Sequence, residues 1–161
     1  MANLVVCADG TWNRPEENLD EDHPTNVLRL ARAVSPLADG VKQHVFYDWG
    51  LGSYHDSAIA GATGRGIHKN NDEDDRIFLF GFSRGAYTVR ALCGLINNCG
   101  IVRRPDARLI AQAWHIYKNP KVDFHPSGKA AVKFRDDHSH ASRAVHFVGV
   151  WDTVGALGIP V

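Results

Sequence analysis

The 161-residue sequence predicts an α/β protein: a mostly parallel sheet covered by helices on both faces. Three observations predict it. Strand-length apolar runs alternate with helix-length segments that carry an apolar stripe. The first run, "NLVVCA", is a short continuous apolar run, as a buried strand requires. Each run also ends in a turn rich in Asp, Gly, Ser or Thr, and sheets of this kind gather their functional groups at the carboxyl ends of their strands.

In chain order, "NLVVCA" (3–8) predicts a first strand, broken by Asp9-Gly10-Thr11. A polar, acidic loop follows (14–24). Thr25 then caps a helix over 26–34, in which Val27, Leu30, Ala31 and Val34 share one face. Pro36 and Gly40 close it. "KQHVFYDWG" (42–50) is rich in β-branched and aromatic residues and predicts a second strand. "RIFLFGF" (76–82) is the third. A helix over 84–100 turns Ala86, Val89, Leu92 and Ile96 inward and stops at Gly100. Pro105 opens another, with Leu109, Ile110, Ala113, Trp114 and Tyr117 as its apolar stripe. Residues 120–142 read as a polar, loop-rich stretch, and "RAVHFVGVWDTVG" (143–155) as a fourth strand. One joint departs from the pattern. Parallel strands need a crossover of about a dozen or more residues, usually a helix. Residues 51–75 show no helical stripe, which predicts a long irregular loop or the loss of a covering helix.

The composition bounds the function. With 44% hydrophobic and 22% charged residues, the chain reads as a single soluble domain, 1–161. Lys plus Arg equals Asp plus Glu at 18 each, so no electrostatic argument favours nucleic acid. "MANLVVCADG" lacks a basic n-region, and no apolar run is long enough to span a bilayer, so a cytoplasmic location is expected. Cys7, Cys93 and Cys99 are odd in number and have no metal-ligand spacing, which suits buried thiols in a reducing compartment.

Gly81-Phe82-Ser83-Arg84-Gly85 matches G-x-S-x-G in the required context, with a strand before it and a helix after. The spacing has a chemical reason. A serine on a strained turn projects its hydroxyl above the sheet, and a glycine two residues away on each side lets strand and helix pack closely. The helix N-terminus offers N–H groups to a developing oxyanion. Ser83 is therefore the candidate nucleophile, with Arg84 as an oxyanion-hole donor through its backbone. Asp9-Gly10-Thr11 admits three readings: a second oxyanion donor from Gly10 or Thr11, a phosphatase site using Asp9, or a turn in which Asp9 caps local backbone. Cys7 stands where a haloacid-dehalogenase-type phosphatase carries its nucleophilic aspartate. Asp152 is the candidate carboxylate that orients a catalytic histidine, ahead of Asp48 and Asp123. That histidine should follow Asp152, yet all nine histidines precede it, so the expected fold is incomplete at its C-terminus. Two further patterns are weak. Gly61–Gly66 lacks the strand and helix of a phosphate-binding loop, and "DDHSH" (136–140) lacks defined ligand geometry, so neither a cofactor nor a metal is expected.

"LVVCADGTWN", "TNVLRLARAV", "FYDWGLGS", "IFLFGFSRGAYTVRALCGLI" and "FVGVWDTVGALGIP" together resemble the α/β-hydrolase family filed as domain of unknown function 2235. That family includes phospholipase effectors of bacterial type VI secretion systems. The resemblance runs in order over most of the chain. It implies an α/β-hydrolase fold, serine esterase or phospholipase activity with Ser83 as the motif serine, an ester or phospholipid substrate, and export without a signal peptide. It also implies a membrane-facing or cap region C-terminal to this stretch. Family members carry a helix before the nucleophile strand, whereas here "GRGI" runs straight into "HKNNDEDDRIF". The alternative is a hydrolase-fold module that binds a partner or lipid without turning it over.

Overall fold

The computed structural model describes residues 1–10, 13, 23–49, 75–104, 106–142 and 144–151. In order these form β1 (Ala2–Ala8), α1 (Asn26–Ala33), β2 (Leu37–Ala38), β3 (Val41–Asp48) and β4 (Arg76–Phe82), then α2 (Arg84–Cys99), α3 (Ala107–Lys118), a 3-10 turn (Val122–Phe124), α4 (Lys129–His138) and β5 (Val145–Trp151). The strands make one five-stranded sheet in the order β2-β3-β1-β4-β5. β1 pairs in parallel with β3 and β4, and β4 pairs in parallel with β5; only the short β2 runs antiparallel. This is the mostly parallel α/β sheet expected from the sequence.

The continuous apolar character of β1 follows from its central place. Leu4, Val6 and Ala8 face one side of the sheet, where they join Ile77 and Leu79 against Val89, Leu92 and Ile96 of α2, Leu109 and Ala113 of α3, and Phe134 of α4. Val5 and Cys7 face the other side, against Val27 of α1 and the half-buried Tyr47, Phe78 and Phe80. Helices therefore cover both faces. Thr25 caps α1 as expected, accepting a hydrogen bond from Leu28 N–H at 3.1 Å. Asp106 does the same for α3, accepting from Leu109 N–H at 2.8 Å. Asp106→Ala should lower stability by about 1 kcal/mol, read as a shift in the urea midpoint.

Two elements differ from the sequence reading. Within the stretch read as loop, Lys129–His138 is helical, because Ala131 and Phe134 lie three residues apart and both insert into the core. Lys129, Lys133, Arg135, Asp136 and Asp137 around it hide that two-residue stripe. Pro36 to Gly40 do more than end α1. Asp39 and Gly40 both have positive φ (51° and 76°), the Asp-Gly signature of a two-residue hairpin turn, and they join β2 to β3. The crossover segment, residues 50–74, and the Gly61–Gly66 motif lie outside the described residues.

Burial also sets thiol chemistry. Cys7 and Cys99 are enclosed in the two halves of the core, and loss of solvation pushes both thiols from 9.0 up to about 12. Cys93 is half-buried. In native protein at pH 8, Cys93 should react with a disulfide reagent ahead of Cys7 and Cys99, and all three should react in denaturant. The raised folded-state values favour folding below about pH 9, and that contribution is lost as pH rises toward 12.

Candidate active site

The strand order locates the site before any side chain is considered. β1 leads through α1 to β3 on one side of the sheet, whereas β4 leads through α2 to β5 on the other. The carboxyl ends of β1 and β4 are neighbours, with Ala8 opposite Gly81, and the chain leaves them in opposite directions. Such a switch point opens a crevice at the sheet edge, the usual ligand site of open α/β folds. The hydrogen bonding divides there too. Asp9 N–H turns toward β3 and donates to the Asp48 carbonyl at 2.9 Å, while Ser83 N–H turns toward β5 and donates to the Trp151 carbonyl at 3.0 Å.

Ser83 sits between β4 and α2 with φ 53° and ψ −118°. A non-glycine residue in that region stores on the order of 1–3 kcal/mol of strain and persists only where its surroundings impose it. Here the flanking glycines show how. A Cβ on Gly85 would fall 2.1 Å from the Ala8 carbonyl oxygen, and one on Gly81 would fall 2.5 Å from the Gly85 oxygen. Hydrogen alone fits at both, so the start of α2 can press against β1 and β4. The G-x-S-x-G spacing is thus a packing requirement of the strand–helix joint. The Ser83 carbonyl begins the helix, accepting from Ala86 and Tyr87 N–H at 3.1 and 3.4 Å. The N–H groups of Arg84 and Gly85 have no acceptor within the helix, and the helix dipole is positive at this end.

Gly10 closes the other side of the crevice. A Cβ placed there would lie 3.2 Å from Ser83 Cβ and 3.1 Å from the Phe82 ring. Its N–H donates to Asp9 Oδ1 at 2.8 Å. The opposite oxygen, Asp9 Oδ2, accepts from the Tyr47 hydroxyl at 2.7 Å and from the Thr25 hydroxyl. Asp9 is 2% exposed, a buried carboxylate bonded to its own turn, to β3 and to the cap of α1. Desolvation, then the bond to Asp9, pushes the Tyr47 phenol above the ordinary tyrosine range. Sequence reasoning missed Tyr47 and missed Thr25 in this role. The parallel register that sets Tyr47 opposite Cys7, and so beside Asp9, is not visible from spacing.

The remaining candidates divide. Thr11 and Asp152 lie outside the described residues. Arg84 is exposed at the start of α2. Asp123 lies in the 3-10 turn, on a different element from the crevice. Asp137 of the "DDHSH" stretch pairs with Lys133 at 2.7 Å, which holds its carboxyl below the usual range. Among the described residues no three His, Cys, Asp or Glu side chains gather as a metal site. Three of the described histidines are engaged elsewhere: His146 packs edge-on against Phe78, His138 against Phe134, and His125 contacts the Ser127 hydroxyl at 2.9 Å. No described helix is long and apolar enough to cross a membrane.

Comparison with known proteins adds two findings. A family model described as T6SS phospholipase effector Tle1-like, catalytic domain, matches residues 2–161. The chain is 27% identical over 190 aligned positions to an uncharacterized protein of Saccharomyces cerevisiae, YEL023C, covering 98% of this chain and 27% of that protein. The alignment is longer than the chain, so the yeast protein has residues at positions where this chain has none. No solved structure matches significantly.

Proposed function

The chain belongs to the Tle1-like phospholipase effector catalytic-domain family, and from that membership and the geometry of the β4–α2 turn we propose that it is a serine hydrolase. Its substrates are carboxylic esters, above all the acyl esters of phospholipids. The observation that carries the reading is the strained Ser83, held between two glycines that admit no side chain, at the N-terminus of α2 and beside the switch-point crevice. Because the chain spans 27% of the length of its yeast relative, the activity of any longer polypeptide is part of the same proposal.

In this mechanism the Ser83 hydroxyl oxygen attacks the acyl carbonyl carbon while a histidine takes its proton. The tetrahedral oxyanion is stabilised by Arg84 N–H and by one donor from the turn after β1. Gly10 N–H already serves Asp9, which favours Thr11 as that donor. The histidine then returns the proton to the departing alcohol, and water releases the acid from the acyl-enzyme. Asp152, next in sequence after the residue whose carbonyl holds Ser83 N–H, orients the histidine. None of the nine histidines follows Asp152. Labelling with a fluorophosphonate, which requires an activated serine, reports whether these residues supply the base. The buried, hydrogen-bonded state of Asp9 speaks against its use as a phosphatase nucleophile.

The test presents phosphatidylcholine mixed micelles, a p-nitrophenyl butyrate ester and a p-nitrophenyl phosphate in parallel. Fatty acid and butyrate should be released and phosphate should not. A folded chain that releases neither acid and resists the fluorophosphonate would instead be a binding module.

A further inference from the structure

We propose that Asp9 is a positioning residue for this site: its buried carboxylate ties the turn after β1 to β3 and α1, and so holds Gly10 against Ser83. The proposal rests on the serine-hydrolase reading and identifies what keeps the second wall of its crevice in place.

A carboxylate at 2% exposure is costly unless its oxygens are hydrogen-bonded. Asp9 meets that demand with donors from three separate parts of the chain: its own turn through Gly10 N–H, strand β3 through the Tyr47 hydroxyl, and the N-terminus of α1 through the Thr25 hydroxyl. The same Thr25 oxygen accepts from Leu28 N–H, so the tie extends into the first turn of the helix. The Asp9 backbone is held from other directions as well. Its N–H bonds β3, and its carbonyl oxygen would lie 2.6 Å from a Cβ on Gly85. One residue on, Gly10 has a backbone close enough that an added Cβ would press on Ser83 at 3.2 Å.

A rigid link therefore runs from α1 and β3, through Asp9, to the atoms facing Ser83. A simple turn would need only the Asp9–Gly10 contact. The two hydroxyls from β3 and α1 fix where that turn stands relative to the rest of the sheet. Catalytic positions tolerate little displacement: a shift of about 1 Å at a reacting centre can cost on the order of 100-fold in rate. The proposal thus separates two effects, since loosening Asp9 should lower turnover more than it lowers the population of folded protein.

The experiment compares wild type, Asp9→Ala, Asp9→Asn, Tyr47→Phe and Ser83→Ala on p-nitrophenyl butyrate. For every protein but Ser83→Ala, which has no serine to titrate and serves as the blank, kcat is normalised to the number of sites titrated by a fluorophosphonate, so that misfolded molecules are not counted. For Asp9→Ala, kcat per titrated site should fall on the order of 100-fold with KM within about twofold. Asp9→Asn keeps an oxygen for Gly10 N–H and an amide that the two hydroxyls can accept from, so it should recover about tenfold of that loss. Tyr47→Phe removes one tie and should lie with Asp9→Asn. Normal kcat per titrated site in both Asp9→Asn and Tyr47→Phe overturns the proposal and leaves the hydrolase reading standing, and this holds even where Asp9→Ala fails to fold. Absence of Ser83-dependent labelling in wild type overturns both.

Discussion

Ser83→Ala is expected to reduce ester turnover by at least about 1,000-fold while the protein stays folded. The hydroxyl is the only group removed, and the positive φ is imposed by the β4–α2 joint rather than by the side chain. Alanine should therefore occupy the same strained conformation with a stability change within about 0.5 kcal/mol. Ser83→Gly sharpens the expectation. Glycine enters this region without a Cβ penalty, so part of the roughly 1–3 kcal/mol of stored strain should be recovered, less the 0.5–1 kcal/mol of added entropy in the unfolded chain. The glycine variant should be equally inactive and about 1 kcal/mol more stable than the alanine variant in urea denaturation. Turnover retained in either would remove Ser83 from the mechanism. Equal stability of the two would show that the φ of 53° stores no more strain than that entropy term, about 0.5–1 kcal/mol.

Gly85→Ala is expected to be the most destabilising single methyl addition at the site. Its Cβ would fall 2.1 Å from the Ala8 carbonyl oxygen and 2.6 Å from that of Asp9, backbone atoms of the end of the central strand and of the turn that follows it. No rotamer change relieves such an overlap, so α2 must move away from β1. Overpacking usually costs about 1–3 kcal/mol, and a clash with central backbone belongs at or above the upper end. A loss of about 3 kcal/mol or more, read from the urea midpoint at unchanged slope, is the expected result. Moving α2 also separates Ser83 from Gly10, so turnover per folded molecule should fall. A change below about 0.5 kcal/mol would mean that α2 and β1 do not pack this closely.

Much of this arrangement was legible in the sequence, and for identifiable reasons. β1 and β4 announced themselves because strands in the middle of a covered sheet must be apolar along their length, and β3 and β5 through their β-branched and aromatic residues. α2 was legible from a long apolar stripe, and its start from a glycine-bracketed serine whose spacing is a packing constraint. α4 was not, since two buried residues, Ala131 and Phe134, are too short a periodicity to stand out among charges. The β2–β3 hairpin carried its signal in Asp39-Gly40, whereas Pro36 and Gly40 read from the sequence alone as the end of a helix.

Local pattern encodes the local chemistry: which residues can bend at strand ends, where a serine could be displayed, and that Asp9, Gly10 and Ser83 each follow an apolar strand. Those features depend on neighbours within a few positions, so spacing encodes them. Which strand ends meet is settled by the packing of the whole sheet. Placing β1 between β3 and β4 brings Gly10 to Ser83 across 73 residues of sequence, and brings Tyr47 and Thr25 to one buried carboxylate. Strand order is set by burial of the whole sheet against helices on both faces, a global condition that no local pattern records. The same condition turned Asp9 from a residue with three readings into a buried tie beside the candidate nucleophile.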